Sequence, residues 1–187
     1  MITFIATAYK ETTDIYQFIS CLLLQTNADW KCIIYCDAPN EYVKKSIEFF
    51  NDNRISYHEN EEPKGWWGHH NRKYALYNLV DTEFVIQTSI QDYYTPNTVS
   101  VLSHYINFYD FIYFNCIHNH FDYNVLVSQP ANCQIDWGSF VIRTELAKHI
   151  GINNVESSTT DGLFVEDCFK HHGLRSIKLD KILTVHN

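Results

Sequence analysis

Acidic side chains stand at three places where apolar sequence gives way to polar sequence. Asp92 follows the buried-strand run Phe84-Val85-Ile86 and precedes Thr95-Pro96, a step that forces extended or turn backbone before the next helix. Asp37 ends the run Trp30-Lys31-Cys32-Ile33-Ile34-Tyr35-Cys36, and Asp161, Glu166 and Asp167 lie on an apolar segment near the end of the chain. Ligands in α/β proteins gather beyond the carboxyl ends of strands, so Asp92 marks an active site by position. Asp37 suits a base pocket, in which a carboxylate accepts an N–H from a pyrimidine and the Tyr9 ring packs on it. The plainer account is that Asp37 starts the turn before Pro39. Glu166 beside Asp167 suits general-base work, because one negative charge raises the basicity of its neighbour. Acids favouring the start of a helix are the alternative.

The basic and imidazole side chains are read the same way. Lys64, Arg72 and Lys73 flank the turn Gly65-Trp66-Trp67-Gly68 at a helix start, where backbone N–H groups attract anions. An ordinary solvated basic face explains them equally well. His118-x-His120 has chelating spacing but brings no third, carboxylate ligand, and no H-E-x-x-H or zinc-ribbon spacing supports a metal. His186 closes the apolar run Ile182-Leu183-Thr184-Val185, where a structural role is the usual one. There is no G-x-G-x-x-G and no G-x-x-x-x-G-K-[ST], which excludes the common dinucleotide and P-loop phosphate sites.

Alternating elements must position these groups. Strands are predicted over Ile2–Ala6, Trp30–Cys36, Arg54–Tyr57, from Phe84, over Asp110–Cys116, Tyr123–Val127 and Gly138–Ile142, and as two short closing strands, Arg175–Leu179 and Ile182–Val185. Helical spacing covers Asp14–Gln25, Glu41–Phe50, His69–Val80, Thr98–Phe108, Thr144–Ile150 and Leu163–His171. Strand and helix alternating at short intervals imply a mixed, mostly parallel sheet flanked by helices, in one α/β domain spanning the 187 residues.

Composition narrows the partners. A net charge of −8 argues against nucleic acid, which demands clustered Lys and Arg. No apolar run approaches the roughly 20 residues of a membrane span, and the first residues lack signal-peptide order. The 6 cysteines form no C-x-x-C pair, which points to a reducing, cytoplasmic setting.

Taken in order, these segments resemble the GT-A fold glycosyltransferases, and most closely the inverting family 2. Ile2-Thr3-Phe4-Ile5-Ala6-Thr7-Ala8-Tyr9-Lys10 is similar to the family's first strand and nucleotide loop, and Ile19 to Trp30 to its S-x-L-x-Q-T helix. Ile33-Ile34-Tyr35-Cys36-Asp37 resembles the strand whose Asp holds uracil, and Gly68 to Leu76 the segment carrying its Arg, here Arg72. Counting back from Pro96, Asp92 takes the last place of the family's D-x-D-D-x-x-x-P metal segment, while Gln91 and Ser89 replace its other acids. Asp136-Trp137-Gly138-Ser139-Phe140 resembles the loop before the acceptor-side helix, Glu166-Asp167 the catalytic E-D pair, and Val185-His186-Asn187 the end of small members.

The resemblance implies a small Rossmann-like nucleotide-diphospho-sugar transferase. Residues to about 96 would form the nucleotide half and the remainder the acceptor half. Thr7, Tyr9 and Asp37 are expected to hold the uridine of a UDP-sugar, Arg72 or Lys64 to supplement the positive charge at its diphosphate, and Gln91, in the middle place of the metal segment, to be cofactor-binding. Asp92 and His186 would hold Mn²⁺ or Mg²⁺, Trp137 would carry a sugar ring, and Asp167, with Glu166 or Asp161 behind it, would be the base. The acceptor is a glycan or other hydroxyl compound. Two rivals are a nucleotidyltransferase, which would need a Gly-rich first loop, and a non-catalytic nucleotide-sugar-binding module.

Overall fold

The computed structural model describes residues 1–9 and 13–187. Lys10 and Glu11, the end of the polar run after the first strand, lie outside the described residues. Among the described residues nine strands join one sheet in the order β3-β2-β1-β4-β8-β6-β9-β5, with β7 paired to β6. β1 (Ile2–Ala8), β2 (Trp30–Cys36), β3 (Ile55–Glu59) and β4 (Phe84–Ser89) are mutually parallel neighbours. α1 (Asp14–Leu23), α2 (Glu41–Phe50) and α3 (His69–Asn78) make the crossovers between them. β5 (Tyr93–Tyr94), α4 (Thr98–Ser103), β6 (Phe111–His118), β7 (Asn124–Leu126), β8 (Phe140–Arg143), α5 (Thr144–Ile150), α6 (Thr160–Lys170) and β9 (Ser176–His186) follow.

The local causes are those the pattern supplies. All seven residues of β1 are buried, as befits a central parallel strand covered on both faces. Ile2, Phe4 and Ala6 point into one apolar layer, shared with Ile15, Phe18, Ile19 and Leu22 of α1. Ile5 points the other way, into a layer with Ala75, Leu76, Phe111, Phe140 and Phe164. Period-2 alternation on the strand therefore meets period-3.6 stripes on both sides. α2 is capped by Asn40, whose Oδ1 accepts the Val43 N–H at 3.1 Å, and it ends at Asn51 in the left-handed region. No helix among the described residues is long and apolar enough to cross a membrane.

Three expectations shift. α4 stops at Ser103 rather than Phe108, and α6 begins at Thr160 rather than Leu163, which puts Asp161 in its first turn. The two closing strands are one, β9, with register irregularities at Asp180-Lys181 and at Leu183. That polar pair breaks the apolar pattern without ending the strand, because Asp180 Oδ1 accepts the Asn115 Nδ2–H at 3.0 Å across the irregularity. Together the two irregularities change the register: Phe111 opposes Ser176 at one end, and His118 opposes His186 at the other.

β8 runs antiparallel to both β4 and β6, so β6 returns to the direction of β1 and β4, and β9 runs parallel to β6. The carboxyl ends of β1, β2, β4, β6 and β9 consequently share one edge of the sheet. The segment leading into β8 reaches that same edge.

Candidate active site

A cleft of about 930 Å³ opens along this edge. Its wall includes Thr7 and Tyr9 after β1, Asp37 after β2, Ser89 and Gln91 after β4, His118 at the end of β6 and His186 at the end of β9. Arg72, Asp136 and Asp161 complete its charged lining. The order in which β1 and β4 diverge makes this the topological switch point of the parallel half, where α/β sheets bind ligands.

Asp37 is buried at 2 % exposure and organises the loop before α3. Its Oδ1 accepts the Lys64 N–H at 3.1 Å and the Asn71 Nδ2–H at 3.1 Å, and its Oδ2 accepts the Gly65 N–H at 2.8 Å. A carboxylate has about four acceptor positions, so Oδ2 keeps capacity for an N–H from the cleft. Gly68, at φ +75°, lies so near Thr7 that an added Cβ would stand 2.8 Å from the Thr7 Cβ. Gly68→Ala is expected to destabilise the fold by about 2–4 kcal/mol, combining left-handed strain with overpacking, and to displace Thr7. Denaturant unfolding tests this; a loss under 0.5 kcal/mol, on the order of an ordinary surface change, would contradict the packing account.

Arg72 lies inside the cleft wall with its guanidinium tied down. Nη1 donates to the Trp67 carbonyl at 2.6 Å and Nη2 to the Thr88 carbonyl at 2.9 Å. Burial pushes Arg72 down from its ordinary value, while the charges of Asp92, Asp136 and Asp161 oppose that shift. The result is a fixed cation facing three carboxylates.

Asp92 sits at 2 % exposure with both oxygens engaged. Oδ2 accepts from Thr88 Oγ1 at 2.5 Å and from the Ser89 N–H at 2.8 Å, and Oδ1 meets His186 Nδ1 at 2.7 Å. Burial opposes ionisation of Asp92, but the His186 contact and these donors win and hold its carboxyl below the usual range. Burial alone would lower His186; the bond to Asp92 and the charges of Asp136 and Asp92 instead raise it to about 9.

His118, Asp136 and His186 each offer one ligand atom, all within 4.8 Å of one another. The rings of His118 and His186 lie 4.4 Å apart between centroids, a consequence of the β6–β9 register. Asp136 is held by its own turn: Oδ1 accepts the Gly138 N–H at 2.9 Å, and Ser139 Oγ donates to the Asp136 carbonyl at 2.7 Å. Asp136 Oδ2 faces His118 Nε2 at 3.9 Å, and its Oδ1 faces His186 Nδ1 at 3.7 Å. Two imidazoles and one carboxylate at this spacing fit a first-row divalent ion such as Mn²⁺. They suit Mg²⁺ less, which favours an all-oxygen shell.

Asp161 projects from the first turn of α6 into the same cleft. Gly162 after it allows close packing, since a Cβ there would stand 2.6 Å from Asn132 Cα. Burial, then the charge of Asp136, pushes the Asp161 carboxyl up to about 7, against the opposing Gly162 N–H and Arg72.

No protein-family model matches the chain, and no curated protein matches it. Solved structures do. The crystal structure of TarS 1-349 from S. aureus superposes with a TM-score of 0.82 at 17 % identity, over 100 % of this chain and 60 % of that one. The same protein in complex with UDP-GlcNAc gives a TM-score of 0.79 at 18 % identity, over 98 % and 57 %. The mannosyltransferase PcManGT from Pyrobaculum calidifontis, in complex with GDP-Man and Mn²⁺, gives 0.77 at 15 % identity, over 99 % and 56 %. The chain has the GT-A glycosyltransferase fold. It spans about three fifths of the TarS 1-349 chain and 36 % of the longer TarS structure.

Within the GT-A fold the expected residues divide. Thr7, Tyr9, Asp37, Arg72, Gln91, Trp137 and His186 all line the cleft. Lys64 instead lines a neighbouring hollow with Glu59, Glu61 and Tyr74. Asp167 and Glu166 stand outside the cleft lining: Asp167 Oδ1 accepts from Lys170 Nζ at 2.9 Å, and Glu166 Oε1 accepts the Asn132 N–H at 2.9 Å. They lie more than a helical turn beyond Asp161, so the residue that α6 delivers to the cleft is Asp161. Trp137, expected as an open platform, is 4 % exposed and packed against Phe140 and Phe164. Of the H-x-H pair, His118 finds a carboxylate in Asp136 and a second imidazole in His186, while His120 stands outside that set. Nothing in the sequence around His118 signals it, because Asp136 and His186 arrive by strand pairing.

Proposed function

We propose that the chain is a metal-assisted, inverting glycosyltransferase that moves a sugar from a nucleoside-diphosphate donor, of UDP type, to an acceptor hydroxyl. What carries the reading is Asp161, a carboxyl raised to about 7, opening on one cleft with Arg72 and the His118–Asp136–His186 set. A proton acceptor tuned near neutral pH beside fixed positive charge is what displacement at an anomeric carbon requires.

In the proposed reaction, the acceptor oxygen attacks the anomeric carbon and its proton passes to the Asp161 carboxylate. The bond from that carbon to the diphosphate oxygen breaks, and its electron pair leaves with the diphosphate. Arg72, held by two backbone carbonyls, meets that growing charge without reorganising. Thr7, Tyr9 and Asp37 hold the nucleoside, with Asp37 Oδ2 accepting a ring N–H. His118, Asp136 and His186 would hold the metal, and Asp92 would orient His186 rather than bind the ion itself. When bound, the ion supplies Lewis-acid charge to the diphosphate. Asp161 replaces Asp167 as the proposed base, because Asp167 is engaged by Lys170.

We further propose that residues 1–187 act as one catalytic unit, with the stretch to about residue 96 serving the donor. A cytoplasmic setting is supported by 6 cysteines without a disulfide.

The test is release of UDP from UDP-GlcNAc, with and without Mn²⁺, against a panel of hydroxyl acceptors. Turnover that rises with Mn²⁺ is expected. Saturable UDP binding without turnover on any donor would favour the binding-module reading instead.

A further inference from the structure

We infer that Trp66 and Trp67 form a platform for the flat face of a pyranose ring; the inference rests on the transferase reading above and names the sugar-recognising surface of that site. The observation behind it is a run of strained backbone. Gly65, Trp66, Trp67 and Gly68 have φ values of +67°, +51°, +52° and +75°. Left-handed backbone is ordinary for single glycines; two consecutive tryptophans in it are not, and strain of this kind gathers at ligand sites.

The surroundings impose the conformation. The Asp37 carboxylate takes the Lys64 and Gly65 N–H groups, Gly68 N–H donates to the Gly65 carbonyl at 3.2 Å, and Arg72 Nη1 grips the Trp67 carbonyl. Packing does not explain the cost, because the two rings are 45 % and 64 % exposed. Both instead line the cleft. Their centroids lie 6.2 Å apart with planes tilted by 51°, so they do not form the parallel slot that grips a planar base. Both rings keep much of their surface open to the cleft, and the C–H side of a sugar ring packs on such aromatic surface. The segment also runs in the right direction: Gly65 is tied to Asp37 at the nucleoside end, and Trp67 to Arg72 at the diphosphate end. The sugar lies beyond the diphosphate. Trp137, buried at 4 %, leaves this role open.

The pyranose has two sources, the donor's sugar and the acceptor, and the experiment separates them. Binding of UDP, UDP-GlcNAc, GDP-mannose and a set of methyl pyranosides is measured for the wild type, Trp66→Gly, Trp67→Gly and Trp67→Phe, with thermal unfolding alongside. Glycine accepts the left-handed backbone, so both glycine variants are expected to keep or raise Tm. UDP affinity is expected to stay within about twofold, while affinity for a pyranose-bearing probe falls about tenfold, the size of one aromatic stacking contact. Trp67→Phe is expected to retain most of it. Loss confined to the nucleotide sugars identifies the donor's ring; loss confined to the pyranosides identifies the acceptor's. Unchanged binding of every probe would overturn the inference, as would equal loss for UDP alone, or a lowered Tm with parallel loss of all ligands. A wild type that binds UDP but no pyranose-bearing probe also overturns it. A wild type that fails to bind UDP at all would instead strike the transferase reading beneath.

Discussion

Asp161→Asn is expected to reduce kcat by about 10²–10⁴-fold, the usual contribution of a positioned base, while UDP binding stays within about twofold. Asp167→Asn and Glu166→Gln are expected to keep most activity, because those side chains bond Lys170 and the Asn132 N–H outside the cleft. The pH profile gives a second readout. A base must be ionised, so kcat/KM should rise with pH on an acid limb lying above the ordinary carboxylate range, because burial, the leading cause, pushes Asp161 up. Stability moves the other way. The folded-state value lies above the ordinary carboxylate value of about 3.9, so the native protein binds more protons than the unfolded chain between those two pH values. The Asp161 contribution therefore favours the fold at low pH and is lost as pH rises to about 7. Above that pH it leaves a penalty on the order of a few kcal/mol at most. Asn carries no such penalty. Its Tm at pH 8 is expected to match or exceed wild type by a few degrees, and the gain should vanish near pH 4. A variant that keeps wild-type turnover would sink the assignment of Asp161 as base.

His118→Ala, Asp136→Ala and His186→Ala are each expected to remove saturable Mn²⁺ binding at concentrations that saturate the wild type, with turnover falling in step. Asp92→Asn should behave differently. Its carboxylate is occupied by Thr88, Ser89 and His186, so its part is to fix the His186 ring. Loss of such an outer partner typically weakens metal affinity 10–100-fold while leaving the stoichiometry intact. Calorimetric titration separates the two patterns. Thermal stabilisation by Mn²⁺ gives an independent check, since an ion bound only by the native state raises Tm with concentration. Mn²⁺ binding that survives intact in His118→Ala would exclude that histidine and favour Asp92 as a direct ligand.

Much of the parallel first half was legible in the residues. Ile2–Ala8 and Trp30–Cys36 carry apolar runs of strand length, and Asp14–Leu23 and Glu41–Phe50 carry helical stripes, because local periodicity and burial agree there. Asp37, Thr7, Tyr9 and Arg72 reach the cleft because they follow strands or open a helix whose direction the alternation already implies. The second half was less legible. By pattern Asp161 stood just ahead of the helix expected over Leu163–His171, yet its neighbour Gly162 lets α6 start early and press against Asn132. A Glu166-Asp167 pair looks more like catalytic machinery than a single Asp before Gly, but helix register, which decides what faces a cleft, is set by packing. His118 was passed over because its partners are distant in the chain.

The sequence by itself determined an α/β chain with a parallel first half and carboxylates just past the ends of β2 and β4. These follow from interactions between residues near one another, or from strands whose neighbours are dictated by short right-handed crossovers. Tertiary structure alone decided which histidines meet. Two register shifts in β9, at Asp180-Lys181 and at Leu183, move the β6 pairing so that His118 faces His186, and the antiparallel β8 brings Asp136 to the same edge. Each shift is a local irregularity, but because strand pairing is rigid it moves every residue beyond it. No spacing along the chain could have announced that outcome.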